Sequence, residues 1–182
     1  MLPTIAREAD AVVMIDQRKL PAEEIYVRCS TAGDVARAIK TMVIRGAPAI
    51  GVAAAYGIAL GMRRSSATGT QKFAAEFYKT CELMAATRPT AVNLFWAIER
   101  MKRTFAEAAN AGESVDQIKD RLDREAEAVI DQTERVIRRV PAELADMAVL
   151  VADQRVEEAG GERVVTSIAT HRRPLHRIAF VS

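Results

Sequence analysis

The strongest constraint on the fold is an uncharged stretch in the first third of the chain. The 16 residues 47–62 carry no charge, and Tyr56 has the only polar side chain among them. A membrane-spanning helix needs about 20 apolar residues, with about 17 as the lower limit, so this stretch is too short to cross a bilayer. Pro48, near its start, is favoured in the first turn of a helix. The sequence therefore predicts a buried core helix.

The overall composition is typical of a globular protein that folds without disulfides. Of the 182 residues, 49% are hydrophobic and 27% are charged, which excludes wholesale disorder and fits one domain or slightly more. The formal net charge of +2 gives no reason to expect nucleic acid or a membrane as partner. Cys29 and Cys81 lack a Cys-x-x-Cys spacing, and the first five residues lack a secretory signal pattern. We therefore expect a cytoplasmic location.

The hydrophobic pattern predicts an α+β fold that is mostly helical. Predicted strands cover 11–15 and 24–29, and a further short strand is predicted at 163–169. Predicted helices run from 31 to about 44, from 48 onward, over about 70–86, over about 90–110, from 114 to about 137, and over 141–160. Capping boxes are predicted at Thr31 with Asp34 and at Ser114 with Gln117. Positions expected to face the core are Val35, Ile39, Met42, Val43, Phe73, Phe77, Cys81, Met84, Phe95, Ile98, Met101, Phe105, Ile118, Leu122, Ala126, Ile130 and Ile137.

Three glycines interrupt the uncharged helix. Gly51, Gly57 and Gly61 each cost about 1 kcal/mol relative to alanine inside a helix. Close approach of another element is the expected compensation.

Two arginines stand just before predicted helix starts. Arg45 precedes Gly-Ala-Pro and Arg88 precedes Pro-Thr-Ala. The positive end of the helix dipole disfavours a cation there by about 0.3–1 kcal/mol, whereas an anion held between the guanidinium group and the helix would reverse the sign. Backbone N–H groups of Gly46, Ala47 and Ala49 would then bind a phosphate. The alternative is that both arginines point into water and merely precede a cap.

Three sequence blocks together resemble one enzyme family. Asp-Gln-Arg at 16–18, the block at 42–57 with Arg-Gly-Ala-Pro-Ala-Ile, and the block at 87–94 with Thr-Arg-Pro-Thr-Ala-Val-Asn-Leu are similar to the N-terminal domain of methylthioribose-1-phosphate isomerases. That family acts in methionine salvage and is related to ribose-1,5-bisphosphate isomerases and to regulatory subunits of the eukaryotic initiation-factor exchange complex.

The resemblance implies both a fold and a site. The fold is a small N-terminal sheet packed on a helical bundle, and the full family architecture is expected to be a homodimer. The implied activity is aldose–ketose isomerisation of 5-methylthioribose 1-phosphate, without a metal or other cofactor. The implied substrate-binding residues here are Arg45, Gly46, Ala47 and Arg88.

The resemblance covers residues 1–130 and ends there. We expect residues 131–182 to be a divergent segment in place of the family's Rossmann-like domain, from truncation or a shifted reading frame. The family's catalytic cysteine follows Thr-His at a strand end, but Thr170 and His171 are followed by Arg172, and its catalytic aspartate has no counterpart. We therefore assign no catalytic residue and expect only the phosphate-binding half. The alternative is a non-catalytic regulatory module of the exchange-complex type.

The cysteines and histidines give no indication of a catalytic or metal-binding role. Cys81 has the spacing of a core residue, and Cys29 ends a predicted strand, so both thiols are interpreted as structural. His171 and His176 have no carboxylate or cysteine nearby in sequence, which supports neither metal binding nor base catalysis.

Overall fold

The computed structural model describes residues 4–8 and 10–138, and a three-stranded antiparallel sheet forms its first part. The strands are β1 (Ile5–Glu8), β2 (Ala11–Ile15) and β3 (Tyr26–Cys29), in the order β1-β2-β3. The two predicted strands are confirmed. Strand β1 was not predicted from the sequence, because only the first of its four residues is buried and its pattern is weak.

Within the described residues five helices follow the sheet, which confirms the predicted α+β, mostly helical fold. They are α1 (Ala32–Lys40), α2 (Ala47–Arg63), α3 (Thr70–Ala85), α4 (Val92–Asn110) and α5 (Val115–Arg138). Both predicted capping boxes are present. The Thr31 hydroxyl accepts the Asp34 N–H at 3.1 Å, and the Gln117 side chain accepts the Ser114 N–H at 2.8 Å.

Helix α2 is the centre of the core. It contacts the other four helices and strands β1 and β2, and every residue from 49 to 60 is buried. Its glycines lie where neighbours approach: a Cβ added at Gly57 would lie 2.5 Å from the Met84 methyl, and one at Gly61 would lie 3.1 Å from Ala32 Cβ. The predicted buried helix and its close contacts are confirmed. Among the described residues, no helix is long and apolar enough to cross a membrane.

Helix α1 ends earlier than predicted. It stops at Lys40 rather than near residue 44, because Met42 adopts a left-handed backbone conformation with φ of 61°. The Met42 N–H donates to the Ile39 carbonyl at 3.2 Å and the Val43 N–H to the Ala38 carbonyl at 2.9 Å, which is the Schellman pattern that terminates a helix. The Met42 side chain is 43% exposed, so its predicted core position is wrong.

In helix α4 one predicted core residue is wrong. Phe95 is 37% exposed, whereas Leu94, which was not predicted, is fully buried. Leu94 shares one stripe with Ile98, Met101 and Phe105 at spacings of four, seven and eleven residues. Phe95 lies one residue further along, about 100° around the helix, and so falls outside that stripe.

Several predictions from the sequence lie outside the described residues. These are the core position of the Ile137 side chain, the helix over 141–160, the strand over 163–169, and the environment of Thr170, His171 and His176. The division into residues 1–130 and 131–182 stays a prediction.

Candidate functional site

The starts of helices α2 and α4 are in direct contact. A Cβ added at Gly51, in the second turn of α2, would lie 2.9 Å from the carbonyl oxygen of Asn93, in the first turn of α4. Arg45 lies two residues before α2, and Arg88 lies four residues before α4. The fold therefore brings together the two helix starts that follow the two arginines.

In the described part of the chain, no side chain caps either of these helix starts. The N-cap residues are Gly46 for α2 and Ala91 for α4, and neither first turn contains an acidic residue. In contrast, α1 and α5 have Asp34 and Asp116 in their first turns. Because α3 also begins without a side-chain cap, at Gly69, a missing cap alone does not define a site. What distinguishes α2 and α4 is that their uncapped, positive ends meet.

The Arg45 side chain is held against the protein. It is half-buried, and its Nη2 donates to the main-chain carbonyl of Gln17 at 3.2 Å. The Arg45 backbone N–H donates to the side-chain oxygen of Gln17. Its Nε is buried and has no hydrogen-bond partner among the described residues. Arg45 is thus a fixed cation at the start of α2, not one that extends freely into water.

Gly46 provides the backbone conformation that this start requires. Its φ of 87° lies in the left-handed region, and its carbonyl accepts the Ile50 N–H at 3.0 Å to begin the helix. A Cβ added at Gly46 would meet no atom of the described residues within 4 Å. The glycine is therefore needed for its φ angle rather than for space, and the room beside it is open to a ligand.

Arg88 lies in a tight turn between α3 and α4. Its carbonyl accepts the Ala91 N–H at 3.0 Å, which closes a turn containing Pro89. The Thr87 hydroxyl donates to the Met84 carbonyl at 2.6 Å, which fixes the turn to the end of α3. Arg88 as a residue is half-buried, and its guanidinium group makes no ion pair with any residue in the described part of the chain. Within residues 4–8 and 10–138 it is a cation without a counter-ion, and it precedes an uncapped helix start.

The carboxylate of Asp16, next to Gln17 in the sequence, is paired with Arg18. Asp16 is buried, and its carboxylate accepts Nε and Nη2 of Arg18 at 2.8 and 2.6 Å. These hydrogen bonds hold the pKa of Asp16 below its usual value. Asp16 is therefore ionised and paired at neutral pH, and its role here is to fix the turn that carries Gln17.

Both cysteines are core thiols, as the sequence indicated. Cys29 and Cys81 are 1% exposed, and burial raises their pKa values to about 11 and about 12. Neither is a thiolate near pH 7, so neither is a ready nucleophile. Within residues 4–8 and 10–138, no three His, Cys, Asp or Glu side chains are grouped so as to hold a metal ion.

Because it contacts Arg45, Gln17 is a candidate site residue, and the sequence pattern did not indicate it. It belongs to the Asp-Gln-Arg block at 16–18, but nothing in its spacing indicates a contact with Arg45, which lies 28 residues away. The available signal was a glutamine two residues after the end of an apolar strand. Such a residue is buried at a cost unless it bonds to something specific.

Comparisons with known proteins identify the family. The fold defines an α+β domain with five described helices on a three-stranded sheet. The model of the initiation factor 2 subunit family matches residues 43–170, and the chain belongs to that family.

The similar proteins also bear out the resemblance to methylthioribose-1-phosphate isomerases. The methylthioribose-1-phosphate isomerase of Geobacter metallireducens is 52% identical over 123 residues, which cover 68% of this chain and 35% of that protein. The one from Trichlorobacter lovleyi is 58% identical over 100 residues, 55% of this chain and 29% of that protein. The chain thus spans about a third of the length of the curated relatives it matches.

Two solved structures share this fold. The 5-methylthioribose 1-phosphate isomerase from Pyrococcus horikoshii matches with a TM-score of 0.69 and 42% identity, over 72% of this chain and 36% of that one. The translation initiation factor eIF-2B, subunit delta, from A. fulgidus matches with a TM-score of 0.66 and 38% identity, over 72% and 37% of the two chains. These matches agree with the predicted sheet and helical bundle.

Proposed function

We propose that this chain supplies the phosphate-binding half of a methylthioribose-1-phosphate isomerase site. The observation that carries the proposal is the contact between the uncapped starts of α2 and α4, marked by Gly51 and Asn93, with an arginine before each. The names of the curated relatives support an isomerase, and the resemblance implies that Arg45, Gly46, Ala47 and Arg88 bind the substrate.

The phosphate is expected to be bound by charge and by backbone donors together. The guanidinium groups of Arg45 and Arg88 offer charge-assisted hydrogen bonds to its oxygens. The N–H groups of Gly46 and Ala47 have no partner within helix α2, since the first N–H groups of any helix lack one, and they add donors at the positive end of the dipole. Holding the phosphate fixes the sugar relative to groups that act on its C1 and C2 atoms.

The chemical step needs more than this anchor. Moving a hydrogen between C1 and C2 of an aldose requires a general acid and base or an equivalent pair. Among the described residues, the Asp16 carboxylate is paired with Arg18, and the thiols of Cys29 and Cys81 are protonated. We therefore propose that the 182-residue chain binds the sugar phosphate and does not convert it.

The test combines a binding and a turnover measurement on the purified chain. Calorimetric titration with 5-methylthioribose 1-phosphate is expected to give a Kd of about 1 mM, and the ketose is expected to stay at its uncatalysed level. Arg45→Gln and Arg88→Gln should each weaken binding. Arg103→Gln is the matched control, because Arg103 lies exposed on α4 and makes no ion pair with the described residues. Ketose formation that requires Arg45 would refute the absence of turnover, and binding unaffected by either site variant would refute the site.

The second candidate is a non-catalytic module of the exchange-complex type. The likeness to the eIF-2B delta subunit of A. fulgidus supports it. The presence of both Arg45 and Arg88 favours the isomerase, because a scaffold has no need for cations at uncapped helix starts. A chain that is folded and fails to bind the sugar phosphate would favour the module.

A further inference from the structure

Gln17 lies between the sheet and the segment that leads into α2. It lies two residues after the end of β2 and is 1% exposed. Its backbone N–H donates to the Val43 carbonyl at 2.9 Å, and the neighbouring Asp16 N–H donates to the Ile25 carbonyl at 2.7 Å. The backbone at Gln17 is therefore fixed on both sides, which makes it a rigid support for whatever its side chain binds.

Gln17 bonds to Arg45 through two separate oxygens. Its side-chain oxygen accepts the Arg45 backbone N–H, and its main-chain carbonyl accepts Arg45 Nη2 at 3.2 Å. The first bond orients the peptide unit that joins Ile44 to Arg45, and the second orients the guanidinium group. One buried residue thus fixes both ends of Arg45.

A polar side chain in this position has a cost that packing alone does not explain. Burying a glutamine amide is unfavourable unless it is hydrogen-bonded, and an apolar residue of the same size would fill the space without that cost. A ligand that binds a freely rotating arginine must also immobilise it, and a cation already held in one conformation avoids that loss on binding.

We infer that Gln17 is a positioning residue for Arg45, and through Arg45 for the phosphate. The inference rests on the proposed function. Gln17 does not touch the phosphate; it holds the arginine in the conformation that binds it.

The first test replaces the acceptor and keeps the size. Gln17→Met removes the side-chain oxygen, and with it the bond to the Arg45 backbone N–H, but keeps the main-chain carbonyl that accepts Arg45 Nη2. We expect its Kd for inorganic phosphate to rise about three- to tenfold, because the backbone from which the Arg45 side chain extends is no longer fixed before the phosphate binds. The same substitution in an Arg45→Gln background should leave the phosphate Kd unchanged. An unchanged Kd in the single variant, or an equal rise in both backgrounds, would overturn the inference.

A matched control separates positioning from loss of stability. Ile118 is fully buried in α5 next to Lys119, whose Nζ donates to the Ser65 carbonyl just beyond the far end of α2. Helix α2 has 17 residues and is therefore about 25 Å long, which places Ile118 far from Gly46. Ile118→Val should lower stability and leave the phosphate Kd as it was. A similar rise in this control would mean that lost stability explains the effect, and the inference would fail.

A measurement on the unsubstituted chain decides the matter if Gln17→Met does not fold. Arginine side-chain nitrogen NMR without any ligand should show restricted rotation of the Arg45 guanidinium, and faster rotation of Arg88. Equal, fast rotation of both would overturn the inference. Because no phosphate is present, this result stands apart from the proposed function, which fails separately if the unsubstituted chain does not bind phosphate.

Discussion

Replacing Gly51 by alanine would place a methyl group against the backbone of helix α4. The added Cβ would lie 2.9 Å from the Asn93 carbonyl oxygen and 3.5 Å from the Asn93 carbonyl carbon. A backbone atom in the first turn of a packed helix cannot rotate away as a side chain does, so α2 and α4 must separate. The substitution therefore tests the contact on which the proposed site depends.

The expected loss of stability follows from two opposing terms. Overpacking of a core costs about 1–3 kcal/mol, and a backbone contact belongs at the upper end of that range. Alanine recovers about 1 kcal/mol of helix propensity relative to glycine. Gly51→Ala should thus lower the free energy of unfolding by about 2 kcal/mol.

Gly61→Ala is the matched control on the same helix. Its added Cβ would lie 3.1 Å from Ala32 Cβ and 3.2 Å from Thr80 Cγ2, distances that a shift of a few tenths of an ångström relieves. The gain in helix propensity should then offset the strain, so that the free energy of unfolding of Gly61→Ala stays within about 0.5 kcal/mol of that of the unsubstituted chain. Urea unfolding followed by circular dichroism measures both variants. A Gly51→Ala chain as stable as Gly61→Ala would refute the packing described for α2 and α4.

Three further predictions concern the termination of α1, the buried thiols and the turn after β2. Met42→Gly should raise the free energy of unfolding by about 0.5 kcal/mol in urea titration, because glycine adopts the left-handed conformation without strain. Met42→Ala should give no such increase, because alanine keeps the Cβ that causes the strain. Cys29 and Cys81 should resist a thiol reagent such as DTNB at pH 7 until the chain unfolds; rapid labelling of folded protein would contradict their burial. Asp16→Asn should lower the melting temperature at pH 7. The pKa of Asp16 is lower in the folded state than in the unfolded state, so its pairing with Arg18 stabilises the fold fully above about pH 4. This stabilisation is lost as the pH falls through the depressed folded-state pKa, so the difference in melting temperature between Asp16→Asn and the unsubstituted chain should shrink in acid.

The sequence predicted the parts of the fold that depend on local patterns. The strong apolar run predicted α2, and the Thr31 and Ser114 capping boxes form as expected because their partners are three residues away. The end of α1 was missed because a methionine, rather than a glycine, takes the left-handed position. The prediction that Phe95 faces the core was wrong because the buried face of α4 is the one that contains Leu94, one position earlier in the helix.

The candidate site depended on information that periodicity does not contain. An arginine before a helix start is a local feature, so the sequence alone marks Arg45 and Arg88 as candidates, and their role in binding stays a prediction. The contact between Gly51 and Asn93 joins two helix starts that lie far apart in sequence, and the bond between Gln17 and Arg45 spans 28 residues. Such contacts are set by tertiary packing, and only the structure gives them.

The central claim is that the starts of α2 and α4, with their two arginines, bind one phosphate. The most direct measurement is an inorganic phosphate titration followed by the backbone amide NMR signals of the unsubstituted chain and of an Arg45→Gln/Arg88→Gln double variant. We predict saturable shifts, largest at Gly46, Ala47 and Val92, with a single Kd of about 1 mM that the double variant abolishes. Signals that do not move, or that move equally in the double variant, would contradict the claim.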